Sequence, residues 1–106
     1  MIRNGRPYTD ENGWEDKGLL SDRSASEQEA VLSWIKEHIR ERKTICRAKT
    51  SYGLKHDLER DTRIYLTNNE FKDAMMRCGF MPVDPDELNW HYRIRVVEKR
   101  TGSNVR

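Results

Sequence analysis

An α+β domain of three helices followed by a β-hairpin is the fold class this sequence predicts, on three observations. Two capping-box patterns, "SEQE" from Ser26 and "TNNE" from Thr67, each stand just ahead of an apolar stripe at helical spacing. Between them, "TSYGLKHDLER" carries Leu54 and Leu58 four residues apart, on one side of a further helix. After Pro85 the period changes to two. Trp90, Tyr92, Ile94 and Val96 point one way; His91, Arg93, Arg95 and Val97 point the other.

The elements follow in order. Residues 1–25 are rich in Gly, Asp, Glu and Asn, and their few apolar residues keep no period, which predicts a disordered or loosely docked arm. Trp14, Leu19 and Leu20 are its candidate anchors, on the domain or on a partner. In the first helix the Ser26 hydroxyl is expected to accept from the Glu29 amide, with Val31, Leu32, Ile35 and Ile39 as the buried stripe. Lys36, Glu37, Arg40 and Glu41 form its solvated side, while Trp34 and His38 either widen the apolar face or make a small interaction patch. Ile45 and Cys46 form a short strand or a linker, and Thr50 or Ser51 caps the second helix.

The third helix has both ends written into it. Thr67 is the expected N-cap with Glu70 at N3, and Leu66 and Phe71 occupy the two positions of a hydrophobic staple. Phe71, Ala74, Met75 and Cys78 make the buried stripe, Gly79 suits the left-handed position, and Phe80 folds back on Met75 in a Schellman motif. A short strand near Met81–Val83, the turn "DPDELN" and the long alternating strand complete a hairpin. The domain is expected over residues 26–100, with a flexible tail over 101–106.

Short connections bring neighbouring elements together, and three helices with a terminal hairpin is the winged helix-turn-helix arrangement. The second helix would support the third, and the hairpin would be the wing. The stretch "LTNNEFKDAMMRCGF…NWHYRIRV" resembles the winged-helix domains at the C-terminal ends of phage and plasmid primase-helicases. The matching positions are Glu70, Phe71, Ala74, Gly79, Phe80, Trp90, Tyr92 and Ile94, over roughly the last half of the chain. "SYGLKHDLERDTRIYLTNNEFKDAM" is similar to small proteins of phages and mobile elements in Gram-positive bacteria. These resemblances imply a fold, and by analogy a role beside nucleic acid.

With 106 residues the chain has room for one domain, and 35% hydrophobic against 36% charged residues leaves a thin apolar supply. A net charge of +2 excludes both an acidic DNA mimic and a histone-like protein, so any nucleic-acid binding comes from placement of charge. Two cysteines, no apolar leader in "MIRNGRPYTD" and no span-length apolar run predict a cytoplasmic protein with no membrane partner. Cys46, Cys78, His38, His56 and His91 lack zinc-site pair spacings, so no metal or cofactor is expected. Ser51, His56 and Asp57 are the right types for a triad but too close on one helix, and no phosphate loop is present, so the chain is not expected to be an enzyme.

In a helix-turn-helix, the third helix enters the major groove with the face turned away from the core. Here that face carries Asn69, Lys72, Asp73, Met76 and Arg77. Asn69 suits adenine, Lys72 and Arg77 suit guanine or phosphate, and Asp73 resists either. The basic run from Arg40 to Lys55, with Arg47, Lys49, Ser51 and Lys55 near a helix start, suits phosphate, and Arg93 and Arg95 add to it from the wing strand. The acidic tip "DPDE" opposes insertion of the wing into the minor groove, and the alternation of Trp90 and Tyr92 with Ile94 favours core packing over base stacking. The expected function is therefore a small nucleic-acid-binding protein, monomeric or homodimeric, on duplex DNA as a regulator or accessory factor of a phage or mobile element. The alternative is a protein-binding module on the same fold, such as an anti-CRISPR-like or other anti-defence inhibitor of a host enzyme complex.

Overall fold

The computed structural model describes residues 1–11 and 13–97, a mixed α+β chain of three helices and small antiparallel sheets. In chain order these are β1 (Ile2–Arg3), β2 (Arg6–Pro7), β3 (Thr9–Glu11), β4 (Trp14–Asp16) and a 3-10 turn at Leu20–Asp22. Then come α1 (Ala25–His38), β5 (Ile39–Glu41), α2 (Ser51–Thr62), α3 (Asn68–Arg77) and β6 (Ile94–Val96). The tail expected over 101–106, and the end of the domain expected to reach 100, lie outside the described residues.

α3 forms as its caps dictate. The Thr67 hydroxyl accepts from the Glu70 amide at 3.1 Å, and the Glu70 carboxylate accepts from the Thr67 amide at 2.9 Å. At the other end Phe80 N–H donates to Met75 O and Gly79 N–H to Met76 O, both at 2.9 Å, with Gly79 at φ +90°. That is the Schellman stop, and only glycine holds that φ without strain.

α1 starts two residues earlier than its capping box predicts. Ser24, not Ser26, takes the N-cap and accepts from the Glu27 amide at 3.3 Å. The chain offers the same serine-to-glutamate spacing twice, and the earlier pair captures the helix end. Val31 and Ile35 are buried and Leu32 half-buried, but Ile39 leaves the helix as the first residue of β5. Trp34 widens the buried face: its Nε1–H donates to Asp61 at 2.9 Å, and its ring stacks on His38 with centroids 4.5 Å apart.

The terminal hairpin takes a different partner from the one expected. β6 pairs antiparallel with β5, in the register Ile39↔Val96, Arg40↔Arg95, Glu41↔Ile94. Pairing continues irregularly, with Arg42 N–H on Arg93 O, Cys46 N–H on Tyr92 O and Ser51 N–H on Trp90 O. Toward Met81–Val83 a single bond runs from Val83 N–H to His91 O. Pro82 and Pro85 each lack a donor, and Asp84 folds residues 84–87 into a turn by accepting from the Asp86 amide. Ile39, past the end of the helix with its N–H on Ile35 O, instead starts a β-branched strand whose neighbours His38 and Arg42 bond the alternating strand.

The core collects Val31 and Ile35 of α1, Leu54 and Leu58 of α2, and Phe71, Ala74 and Met75 of α3 around Trp90, Tyr92 and Ile94. Tyr92 is wholly buried and its hydroxyl has no hydrogen-bond partner among the described residues; burial drives the phenol pKa far upward. An orphaned buried hydroxyl costs about 1–3 kcal/mol. Tyr92→Phe is therefore expected to stabilise the chain by about 1 kcal/mol or more, seen as a higher melting temperature; a lower one would show that the hydroxyl is satisfied.

The arm is the largest departure from expectation. Residues 1–11 and 13–22 form two antiparallel strand pairs and the 3-10 turn, lying against α3 and α1. Asn4 and Gly5 both hold positive φ, 53° and 75°, which is the type I′ turn that "NG" favours. Leu20 is wholly buried in the core and Tyr8 nearly so. The docking is not loose.

Candidate functional site

The face of α3 expected to enter a groove is covered by the chain's own N-terminal segment. Asn69 and Lys72 are both 0% exposed. Lys72 Nζ donates to Thr9 Oγ1 at 2.9 Å and to Leu88 O at 2.7 Å, and lies 4.8 Å from the centre of the Trp90 ring. Thr9 Oγ1 in turn donates to Asn69 Oδ1 at 2.8 Å, and Asn69 Nδ2 donates to Pro7 O and Gly18 O at 2.9 and 2.8 Å. Asp73, the residue that resisted a DNA reading, accepts from the Leu20 amide at 2.9 Å and from Arg77 at 3.0 Å. Gly18 sits so close that an added Cβ would meet Glu70 Cγ at 3.0 Å and Thr67 Oγ1 at 3.2 Å. Asn69 and Lys72 read their own chain, which corrects their expected exposure to a groove.

The other candidate residues separate by their partners. Ser51 is buried; its Oγ donates to Asn68 Oδ1 and accepts from the Trp90 amide, both at 3.0 Å. Lys55 is buried against Glu59 at 2.9 Å, and Lys49 pairs with Asp57. Arg77 is taken by Asp73. Neutralised in this way, none of these is a free phosphate ligand. Arg47, Arg93 and Arg95 remain exposed, with no carboxylate in ion-pair range among the described residues.

Arg93 and Arg95 are joined, through the β5–β6 register, by Arg40 and Arg42 from the start of the basic run. Arg40 stands directly across from Arg95, and the Arg42 amide bonds the Arg93 carbonyl at 2.9 Å. Side chains alternate along each strand, so Arg40, Arg42, Arg93 and Arg95 share one face of the ribbon while Ile39 and Ile94 are buried on the other. Like charges directly opposite destabilise a ladder, and among the described residues nothing acidic pairs with these. Backbone carbonyls hold three of them instead: Arg40 donates to Lys36 O, Arg42 to Thr44 O and Ile45 O, and Arg93 to Lys43 O. A carbonyl fixes a guanidinium without neutralising it, and each guanidinium keeps further donors for an anion. Lys43 and Arg47, also exposed, lie on the loop that follows. The alternation Ile39-Arg40-Glu41-Arg42 is the signal that would have found this face, hidden because it follows a helical stripe without a break.

Beside the ribbon is a shallow cleft of about 320 Å³. Phe80, Met81, Pro82 and Val83 line it, with Arg93 and Glu41 also at its walls. Among the described residues no three His, Cys, Asp or Glu side chains are grouped to hold a metal ion, and no helix is long and apolar enough to cross a membrane. Comparison with protein families, with curated proteins and with solved structures finds no match to this chain.

Proposed function

We propose that this chain binds nucleic acid, gripping the phosphate backbone of duplex DNA with the arginine face of the β5–β6 ribbon. The observation that carries the reading is the set of four arginines on one ribbon face, three of them held by carbonyls and none paired with a carboxylate among the described residues. The order helix, strand, helix, helix from α1 onward, with the C-terminal strand β6 returning beside β5, supports a winged-helix variant. With the outer face of α3 buried, contacts are to phosphate and not to base edges, so binding is nearly independent of sequence. A regulatory or replication-accessory role in a phage or mobile element rests on the family resemblance alone.

Each phosphate neutralised on duplex DNA contributes about −0.9 to the slope of log affinity against log salt. Four contacts therefore give a slope of about −4 in an anisotropy titration of a random duplex. Arg93→Ala/Arg95→Ala is expected to reduce that slope by about 2 units, whereas Lys72→Met, with its side chain buried, leaves it unchanged. Equal slopes for wild type and the double variant, or no duplex binding at about 50 mM salt, overturn the reading.

A protein-binding role on the same scaffold has one specific observation in its favour. Trp14 is 74% exposed and shares a cleft with Tyr52, itself 50% exposed. Trp34, the other aromatic considered for such a surface, is buried.

A further inference from the structure

We propose that the cleft between the β3–β4 strand pair and the start of α2 takes an arginine side chain presented by a partner protein. The inference rests on the protein-binding reading and names the chemistry of the partner; it uses none of the arginine face. Directly paired residues put their side chains on the same side of a ribbon. Thr9 with Asp16, and Glu11 with Trp14, therefore all project one way, while Asp10 and Glu15 project the other. Those first four residues line the cleft of about 300 Å³, and Tyr52 of α2 belongs to its other wall. Trp14 is 74% exposed, and an indole left so open is a costly surface feature and a common interface anchor.

Charge decides what the cleft accepts. Glu11, directly across from Trp14, has no ion-pair partner among the described residues. Asp16 has none either. Its carboxylate accepts from the Gly18 and Asn69 amides at 3.1 and 3.0 Å and from the Thr67 hydroxyl at 3.2 Å, neutral donors that orient it without cancelling its charge. The two lysines lining the cleft are both taken: Lys55 is buried against Glu59 at 2.9 Å, and Lys17 lies 3.7 Å from Glu15. Glu11 and Asp16 are the surplus acids, on the same face as the exposed indole. Lys55 Nζ already lies 5.3 Å from the centre of the Tyr52 ring, so Trp14 is the aromatic face left for an incoming cation. A guanidinium suits Trp14 and Glu11 better than an ammonium, since it stacks flat on an indole while its fork donates to a carboxylate. Phosphates would be repelled by the same two acids, and walls this exposed leave too much of a small metabolite in water. One arginine on a protein segment fits, its stem along Trp14 and Tyr52 and its head on Glu11.

An NMR titration of the full chain with the peptide acetyl-Gly-Arg-Gly-amide, at about 50 mM salt, tests this. The indole N–H resonance of Trp14, assigned by its loss in Trp14→Ala, is expected to shift saturably with a midpoint of about 1–10 mM. The same peptide with citrulline for arginine keeps the shape and loses the charge, and should bind about tenfold more weakly. A lysine peptide should fall between the two. Glu11→Gln, at an exposed position, should weaken the arginine peptide about threefold. Equal midpoints for the arginine and citrulline peptides, or for wild type and Glu11→Gln, overturn the proposal while leaving a protein-binding surface at Trp14. A lysine peptide as tight as the arginine one overturns the assignment to a guanidinium. No saturable shift with any peptide removes the protein-binding reading as well. Trp14→Ala and Glu11→Gln should both retain wild-type salt-dependent binding of duplex DNA; loss of it would put this cleft in the DNA contact and overturn the proposal.

Discussion

Asn69→Ala is expected to destabilise the fold by about 3–5 kcal/mol, a large share of the about 5–15 kcal/mol available to a domain of this kind. Asn69 is wholly buried and satisfies three partners from the arm: the Thr9 hydroxyl and the carbonyls of Pro7 and Gly18. Truncation leaves the buried Pro7 carbonyl and the part-buried Gly18 carbonyl without this donor and interrupts the relay from Lys72 through Thr9. Each orphaned group costs about 1–3 kcal/mol, well above the loss of an ordinary exposed hydrogen bond. Asn69→Asp should fail similarly, since a carboxylate accepts from Thr9 but repels both carbonyl oxygens. Urea denaturation measures the effect. A change within about 0.5 kcal/mol, as at an exposed helix position, would mean that the arm does not cover α3.

Lys72 is expected to make stability rise with pH. Burial holds its pKa down to about 8, with the Asp16 carboxylate pulling it partly back, against 10.5 for the unperturbed group. Between those values the unfolded chain binds more protons than the folded one, so unfolding becomes less favourable as pH increases. Below pH 8 the cost of a buried charge is fully present; above about 10.5 it has gone. The difference of about 2.5 pH units corresponds to about 3 kcal/mol. Lys72→Met keeps the volume and removes the titration. The stability of wild type relative to this variant should therefore climb by about 3 kcal/mol from pH 8 to 10.5, with other groups cancelling in the comparison. A flat difference would show that the ammonium is solvated.

Several parts of the fold were legible because their signals are local. The caps and glycine stop of α3 act within one helical turn of the residues that carry them, and both formed as expected. The burial of Trp90, Tyr92 and Ile94 follows from alternation alone. The hairpin of the arm had a local signal as well, Asn4-Gly5, outweighed by the low apolar content around it. The docking of that arm had none. Asn69, Lys72 and Asp73 look like a solvated polar face in sequence, because nothing nearby tells that their partners are the backbone of Pro7, Gly18 and Leu20 and the hydroxyl of Thr9, about 50 to 60 residues away.

The candidate site divides in the same way. Arg47, Arg93 and Arg95 were visible as basic residues outside the core, and the structure leaves them exposed. Arg40 and Arg42 joined them only when β5 paired with β6, since register is a property of two strands and neither alone contains it. By itself, then, the sequence determined where α3 begins and ends and that Trp90, Tyr92 and Ile94 are buried. Tertiary structure alone decided which charges stay free. A carboxylate brought within ion-pair range silences Lys49, Lys55 and Arg77, while a carbonyl in the same place leaves Arg40, Arg42 and Arg93 charged and fixed.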